Sequence, residues 1–223
     1  MSAPGEQHLA FLRTRRSVRA FTTQPVAASV LERVLAALTT APSSSNKQPW
    51  RFAVVTDAAL RARIVEAVRA RCAAIQEVIA RGHHAEDFAS YGDFFFEPLA
   101  SAAVIIVPQH RVHADLIARL IASGGGDPTR FTTPAAMPTE VCSTSAAVMA
   151  LLLQAHAEGL GACWMAGPTV ARDDVKALLG IQDPWQPLGA IALGHPAGAA
   201  AAAPARKPID KIVTWFDGGG EGE

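Results

Sequence analysis

Three arginines and a serine fall within five residues, Arg15-Arg16-Ser17-Val18-Arg19, in a 223-residue chain whose 20 Lys plus Arg are balanced by 20 Asp plus Glu. With no net charge to account for them, guanidinium groups this dense call for a local anionic partner. A phosphate monoester suits them: Arg offers a planar fork of donors that matches phosphate oxygens bidentately, and Ser adds a short hydroxyl donor. A solvated basic turn after a helix is the plainer alternative. Further on stands Ala41-Pro42-Ser43-Ser44-Ser45-Asn46-Lys47-Gln48-Pro49-Trp50-Arg51-Phe52, with three hydroxyls, two carboxamides and two prolines. Such a set can donate to and accept from the edge of a polar ring or a polyol, unless it is merely a Ser/Pro-rich loop.

Other stretches carry weaker signals. At Ala166-Gly167 the small side chains would let backbone amides approach a flat ligand, or else form a tight strand-turn-helix joint. Tyr91, Phe94, Phe95 and Phe96 are the densest aromatic cluster and read equally as core packing or as the cap of an apolar pocket; Phe94 and Phe95 are the pocket candidates. His83-His84, His110 and His113 lack a convergent third ligand, so no metal site is expected.

The elements that must position these groups follow from periodicity and punctuation. Glu6 to Thr14, with Leu9 and Leu12 inward, reads as a short helix delivering the basic turn, after frayed residues to about Gly5. Ser29-Val30-Leu31-Glu32 has the form of a capping box. The helix it opens, with Leu31, Val34, Leu35 and Leu38 on one face, runs to about Thr40, and Phe52 to Val55 then reads as a buried strand. Asp57 caps a longer helix in which Leu60, Ile64, Val68, Cys72, Ile75 and Ile79 recur, until Gly82 stops it. Ala102 to Val107, apolar and β-branched, is a central strand.

From Gln109 to Pro138 the chain is polar and Gly/Pro-rich, a mobile excursion whose Gly124-Gly125-Gly126 lacks dinucleotide-binding spacing. Thr139 then caps a helix over 140–158 that is apolar on nearly all sides, and so buried in the fold or in a subunit interface. Gly159 closes it. A helix with Asp173, Asp174, Val175, Leu178 and Leu179 and a last core strand over 189–193 follow. An Ala/Pro-rich tether then leads from about residue 197 to an apolar, Trp215-bearing arm that packs on another surface. Gly218 to Glu223 are expected to be disordered.

Composition narrows the class. Half the residues are hydrophobic, enough for a substantial core in one large domain or two small ones. Zero net charge removes the long-range attraction of a nucleic-acid or anionic-membrane binder. Cys72, Cys142 and Cys163 are widely spaced, as reduced thiols of a cytoplasmic protein would be. The uncharged span from Pro184 to Ala205 is broken by prolines and glycines and is not a membrane helix.

The basic turn through Phe21, the Pro-Ser-x-x-Asn-x-Gln-Pro-Trp stretch, Gly159-Leu160-Gly161-x-x-Trp164, and the closing Gly194-His195-Pro196 and Arg206-Lys207-Pro208 together resemble the nitroreductase superfamily. The resemblance implies an α+β three-layer fold, with a mixed, mostly antiparallel central sheet flanked by helices, a long buried core helix and an extended C-terminal arm. It implies a homodimer holding FMN at its interface and passing hydride from NADH or NADPH to a nitroaromatic, quinone or related electron-poor acceptor. Arg15 and Ser17 would hold the FMN phosphate, with Arg16 nearby and Arg19 at the pyrimidine edge. Pro42, Ser43, Ser44, Asn46 and Gln48 would reach the flavin from the partner chain. Met165, Ala166 and Gly167 would line one face of the ring, and Arg206 would close on the phosphate. No side chain need act as acid or base for the hydride step. A flavin-fragmenting or dehalogenating relative, or a non-redox phosphate-binding module, are the alternatives.

Overall fold

The computed structural model describes residues 3–83, 85–113, 115–131, 137–198 and 202–216. The expected disorder of Gly218 to Glu223 and the middle of the excursion, 132–136, lie outside them.

The sheet is built around β2 (Val104–Arg111), a run of β-branched residues with no charge until its last position. It pairs antiparallel with β1 (Trp50–Val55) on one side and with β5 (Ala190–Gly194) on the other, and β3 (Gly161–Met165) pairs antiparallel with β5, giving the order β1-β2-β5-β3. A short β4 (Trp185–Pro187) continues the β5 side along the far end of β2. The two pieces are separated at Leu188-Gly189, opposite the point where Pro108 has no amide to give the ladder; Leu188 N donates instead to the Pro108 carbonyl at 2.7 Å.

Alternation along the strands feeds two cores. Ile105, Val107, Ala190 and Ala192 meet Ile64, Val65, Val68 and Cys72 of α3 (Ala58–Ile79), with Leu99 of α4 (Asp93–Ser101) and Val175 of α7 (Arg172–Leu179). Val104, Ile106, Ile191 and Leu193 meet Leu31 and Val34 of α2 (Ala28–Ala36) and Ala147, Val148, Leu151, Leu152 and Ala155 of α6 (Thr139–Ala157). Helices on both faces explain why an antiparallel sheet carries continuous apolar runs rather than in-out alternation. This is the predicted α+β, three-layer, mostly antiparallel architecture.

Several local expectations change. α1 (Pro4–Thr14) starts two residues earlier than predicted, with proline at its first position, and buries no residue; Leu9 is 46% exposed rather than inward. Ser29 does not cap α2, which already begins at Ala28 after an extended Ala27, so the Ser29–Glu32 pattern falls inside the first turn. Pro138, not Thr139, precedes α6, and the Thr139 hydroxyl donates to its neighbour Glu140 at 3.2 Å. Asp57 does cap α3, accepting from Leu60 N at 2.7 Å.

The excursion begins only after Arg111 and contains an amphipathic helix, α5 (Leu116–Ser123), capped by Asp115. The glycine triplet is that helix's C-terminus: the amides of Gly124, Gly125 and Gly126 bond back to carbonyls of residues 120–122. Aspartate, two apolar pairs four apart and then glycine are an ordinary start and stop, masked by the polar composition around them.

Candidate functional site

The basic turn runs beside the outer edge of β3. Val18 N donates to the Ala162 carbonyl at 3.1 Å and Ser17 pairs in parallel with Ala162, while Phe21 pairs with Pro196 beyond β5. The approach is close because residue 161 is glycine: a Cβ there would lie 2.7 Å from the Val18 side chain. The Gly161 of the Gly-Leu-Gly stretch is thus what admits the turn to the sheet edge.

Arg15, Arg16, Ser17 and Arg19 line one groove of about 500 Å³, whose other wall is Leu152, His156 and Leu160. Its size falls within the range of small-ligand sites, about 300–1,000 Å³. The arginines are not equivalent. Arg16 donates to the carbonyls of Arg13 (2.5 Å) and Arg15 (2.9 Å) and so is spent on the end of α1. Arg19 makes one long contact, 3.5 Å, to the Ser17 carbonyl. The Arg15 guanidinium has no hydrogen bond among the described residues. Burial pushes the Cys163 thiol up, against the pull of Arg19 and Arg15 on the same strand edge.

The Ser43–Gln48 stretch lies elsewhere. Ser44, Ser45 and Lys47 line a second groove of about 480 Å³ with His110, Thr139 and Glu140. Burial lowers the His110 pKa, and its Nδ1 is buried without a partner. Three non-glycine residues of the loop sit in the left-handed region, Ser45 (φ 51°), Asn46 (φ 51°) and Gln48 (φ 47°). The shape is pinned by Gln48 N donating to Ser43 Oγ at 2.9 Å, Gln48 Nε2 to Asn46 Oδ1 at 3.2 Å and Ser44 N to Ser143 Oγ of α6 at 3.4 Å. Residues in such conformations persist only where the surroundings over-determine them, as functional sites often do.

The two grooves mark opposite ends of α6: the second touches Ser143's end, the first touches His156. Thirteen residues separate these, about 20 Å of helix. Between them runs a stripe of Cys142, Ser145, Ala146, Met149, Leu153 and His156 that contains no Asp, Glu, Lys or Arg and is turned away from the sheet, with Met149 42% exposed at its midpoint. α6 is therefore buried on one face only within this chain.

The remaining predicted site residues are not drawn into either groove. Pro42 and Ser43 flank the strained loop; Met165 ends β3, half-buried, and Ala166 is exposed. Gly167 is small for a different reason from the one expected. A Cβ there would sit 2.0 Å from the Phe95 ring, so the space opened by the glycine is filled by an aromatic side chain of the same chain. Phe95 packs against the core, in edge contact with Tyr91 (5.5 Å) and Phe94 (4.4 Å), whereas Phe94 is 54% exposed. The aromatic cluster thus divides between the two readings. Arg206 is exposed on an extended C-terminal segment whose Ile209, Ile212, Trp215 and Phe216 also face outward. Sequence reasoning missed Ser143, Glu140 and His156, which had no motif to mark them.

The Nitroreductase family model matches residues 12–195. The chain belongs to the nitroreductase family. It is similar to an NADH dehydrogenase of Thermus thermophilus, 28% identical over 203 residues that cover 90% of this chain and 92% of the relative. Its fold matches a BluB-like flavoprotein of Clostridium difficile 630, with TM-score 0.83 and 22% identity, over 94% of this chain and 99% of that one. It also matches a nitroreductase of Desulfovibrio desulfuricans solved in complex with FMN, with TM-score 0.65 and 23% identity, over 97% and 98%. No helix among the described residues is long and apolar enough to cross a membrane.

Proposed function

We propose that this chain, as a single domain over 1–223, binds FMN with the phosphate in the Arg15–Arg19 groove and works as a homodimer that moves hydride from NADH or NADPH to an electron-poor acceptor. The observation that carries this reading is the convergence of Arg15, Ser17 and Arg19 on one groove, with Arg15 making no hydrogen bond among the described residues. The fit is chemical: a hydroxyl and guanidinium groups on an extended backbone match the oxygens of a phosphomonoester. Bound FMN would supply the redox chemistry, accepting hydride from the nicotinamide and returning it to a nitroaromatic, quinone or related acceptor.

The residues of this chain then act by position. Arg15 and Ser17 anchor the phosphate. Arg19, four residues along the same edge, offers positive charge to the pyrimidine side, where reduction places negative charge. The Ser43–Gln48 loop supplies hydroxyl and carboxamide groups, but at the far end of α6, and a two-fold pairing of the uncharged α6 stripe about Met149 would bring each loop to the partner's Arg15–Arg19 groove. Pro42, Ser44, Asn46 and Gln48 would then meet the flavin in trans. The outward-facing C-terminal arm would wrap the second subunit and place Arg206 near the phosphate. Met165 and the Ala166-Gly167 backbone would lie by the ring, with Phe94 towards the acceptor. Two substrates using one face in turn give ping-pong kinetics.

Anaerobic titration tests this directly. The purified dimer is expected to be yellow, to bleach on adding NADH or NADPH, and to regain colour with a quinone. A protein that stays colourless after reconstitution with FMN overturns the reading, and oxygen-dependent loss of the flavin itself would instead mark the flavin-fragmenting chemistry.

A further inference from the structure

The Arg15–Arg19 groove has a titratable wall. His156, near the end of α6, lines it together with Arg15, Arg16, Ser17 and Arg19. Its ring is fixed from two sides: it packs against Phe11 of α1 with centroids 5.0 Å apart, and Nε2 is 2.7 Å from Thr14 Oγ1. The Thr14 hydroxyl has one hydrogen and also lies 2.7 Å from the Phe11 carbonyl, which can only accept. Nε2 is therefore the donor to Thr14, and Nδ1, which has no partner among the described residues, is the nitrogen left to bind a further proton.

We propose, resting on the reading of this groove as the FMN phosphate site, that His156 is a proton-linked anion ligand, taking a proton at Nδ1 as a phosphomonoester binds. The charged surroundings set the direction. In the free protein, burial first, then Arg15 and Arg16, hold the imidazole below the ordinary histidine range. α1 places Thr14 and Phe11 against the ring, with the His8 ring centroid 6.4 Å from that of Phe11. Glu158, two residues on along α6, is engaged by Arg33 at 2.7 Å. A phosphate dianion held by Arg15 and Ser17 in the same groove offsets the repulsion that Arg15 and Arg16 exert, so the bound-state pKa of His156 exceeds the free-state one. Binding then takes up a proton: affinity is highest below the free-state pKa and is lost as pH rises through the bound-state one. The histidine thereby joins the arginines as a third kind of donor, present only when the anion is.

The test is FMN affinity against pH for the wild type and His156→Gln, whose amide N–H can still donate to Thr14. Between pH 6.5 and 8.5 the phosphate is mostly dianionic, its second pKa being about 6. Over that range the wild type is expected to weaken by about two- to fivefold relative to the variant. Parallel curves overturn the inference while leaving the FMN site standing. A wild type that binds no FMN at any pH removes both. Calorimetry of wild-type protein with FMN at pH 7.5, in two buffers of different ionisation enthalpy, decides the matter even if the variant does not fold: net proton uptake supports the linkage, and none, or release, overturns it.

Discussion

The Arg15–Arg19 turn and the Ser43–Gln48 loop hold their polar groups by opposite means. The turn is extended and unstrained, and its position comes from outside itself: one amide bond to Ala162 and the space left by Gly161. The loop carries its constraint within. Its three left-handed residues each cost on the order of 1–2 kcal/mol, and hydroxyls and a carboxamide of the loop and of Ser143 keep them there. A cluster of charges needs only a straight ledge, because guanidinium groups reach outward on long flexible stems. Short hydroxyl and amide groups have no such reach, so the backbone itself must bend to aim them.

That contrast yields tests of graded size. The largest effect is expected at the junction proposed to unite the two regions. Met149→Asp sets an unpaired carboxylate in the middle of the uncharged α6 stripe, and a buried unpaired charge costs about 3–5 kcal/mol. Sedimentation should find monomer, with FMN affinity reduced in step. A dimer of unchanged affinity would show that turn and loop serve separate sites.

Next come the unequal arginines. Arg15→Ala removes the uncommitted guanidinium and should weaken FMN binding by about 1.5–3 kcal/mol, the usual loss for a charged hydrogen bond. Arg16→Ala should act mainly on thermal stability, because its donors serve the end of α1. Equal losses of affinity in fluorescence titration would contradict that division.

Gly161→Val would push Val18 off the β3 edge at a cost of about 1–3 kcal/mol of overpacking. Here the thermal midpoint should fall together with FMN affinity, and a shift in one alone would mean that the close approach serves only packing. The smallest effect is in the loop. Ser45→Gly relieves left-handed strain but loosens the unfolded chain by about 0.4–1 kcal/mol, so stability should rise by about 1 kcal/mol or less while FMN binding weakens through a less fixed loop. A clear loss of stability in denaturant melts would show that residue 45 is not strained.

How much of this was legible in the residues differs between regions. The central strand, the Asp57-capped helix and the basic turn were readable because each is declared by local pattern: β-branched runs, three-four periodicity, clustered charge. The Ser29–Glu32 capping box failed because a helix start is set by where the preceding chain turns, and Ala27 turns two residues too early. α5 was hidden because composition averaged over thirty residues outweighed eight residues of pattern. Gly167 shows the limit most sharply. Its smallness was visible, but whether a ligand or the Phe95 ring uses the space depends on α4 arriving from far along the chain.

The residues alone marked which side chains could grip an anion, most of the helices and strands, and the family, since these rest on residue chemistry and short-range periodicity. Packing in three dimensions settled that Arg16 is occupied while Arg15 makes no hydrogen bond among the described residues, that His156 joins their groove, and that the polar loop lies about 20 Å away at the other end of α6. Those facts depend on long-range packing, where residues more than a hundred positions apart become neighbours through the sheet and the core helix, and no local pattern encodes such distances.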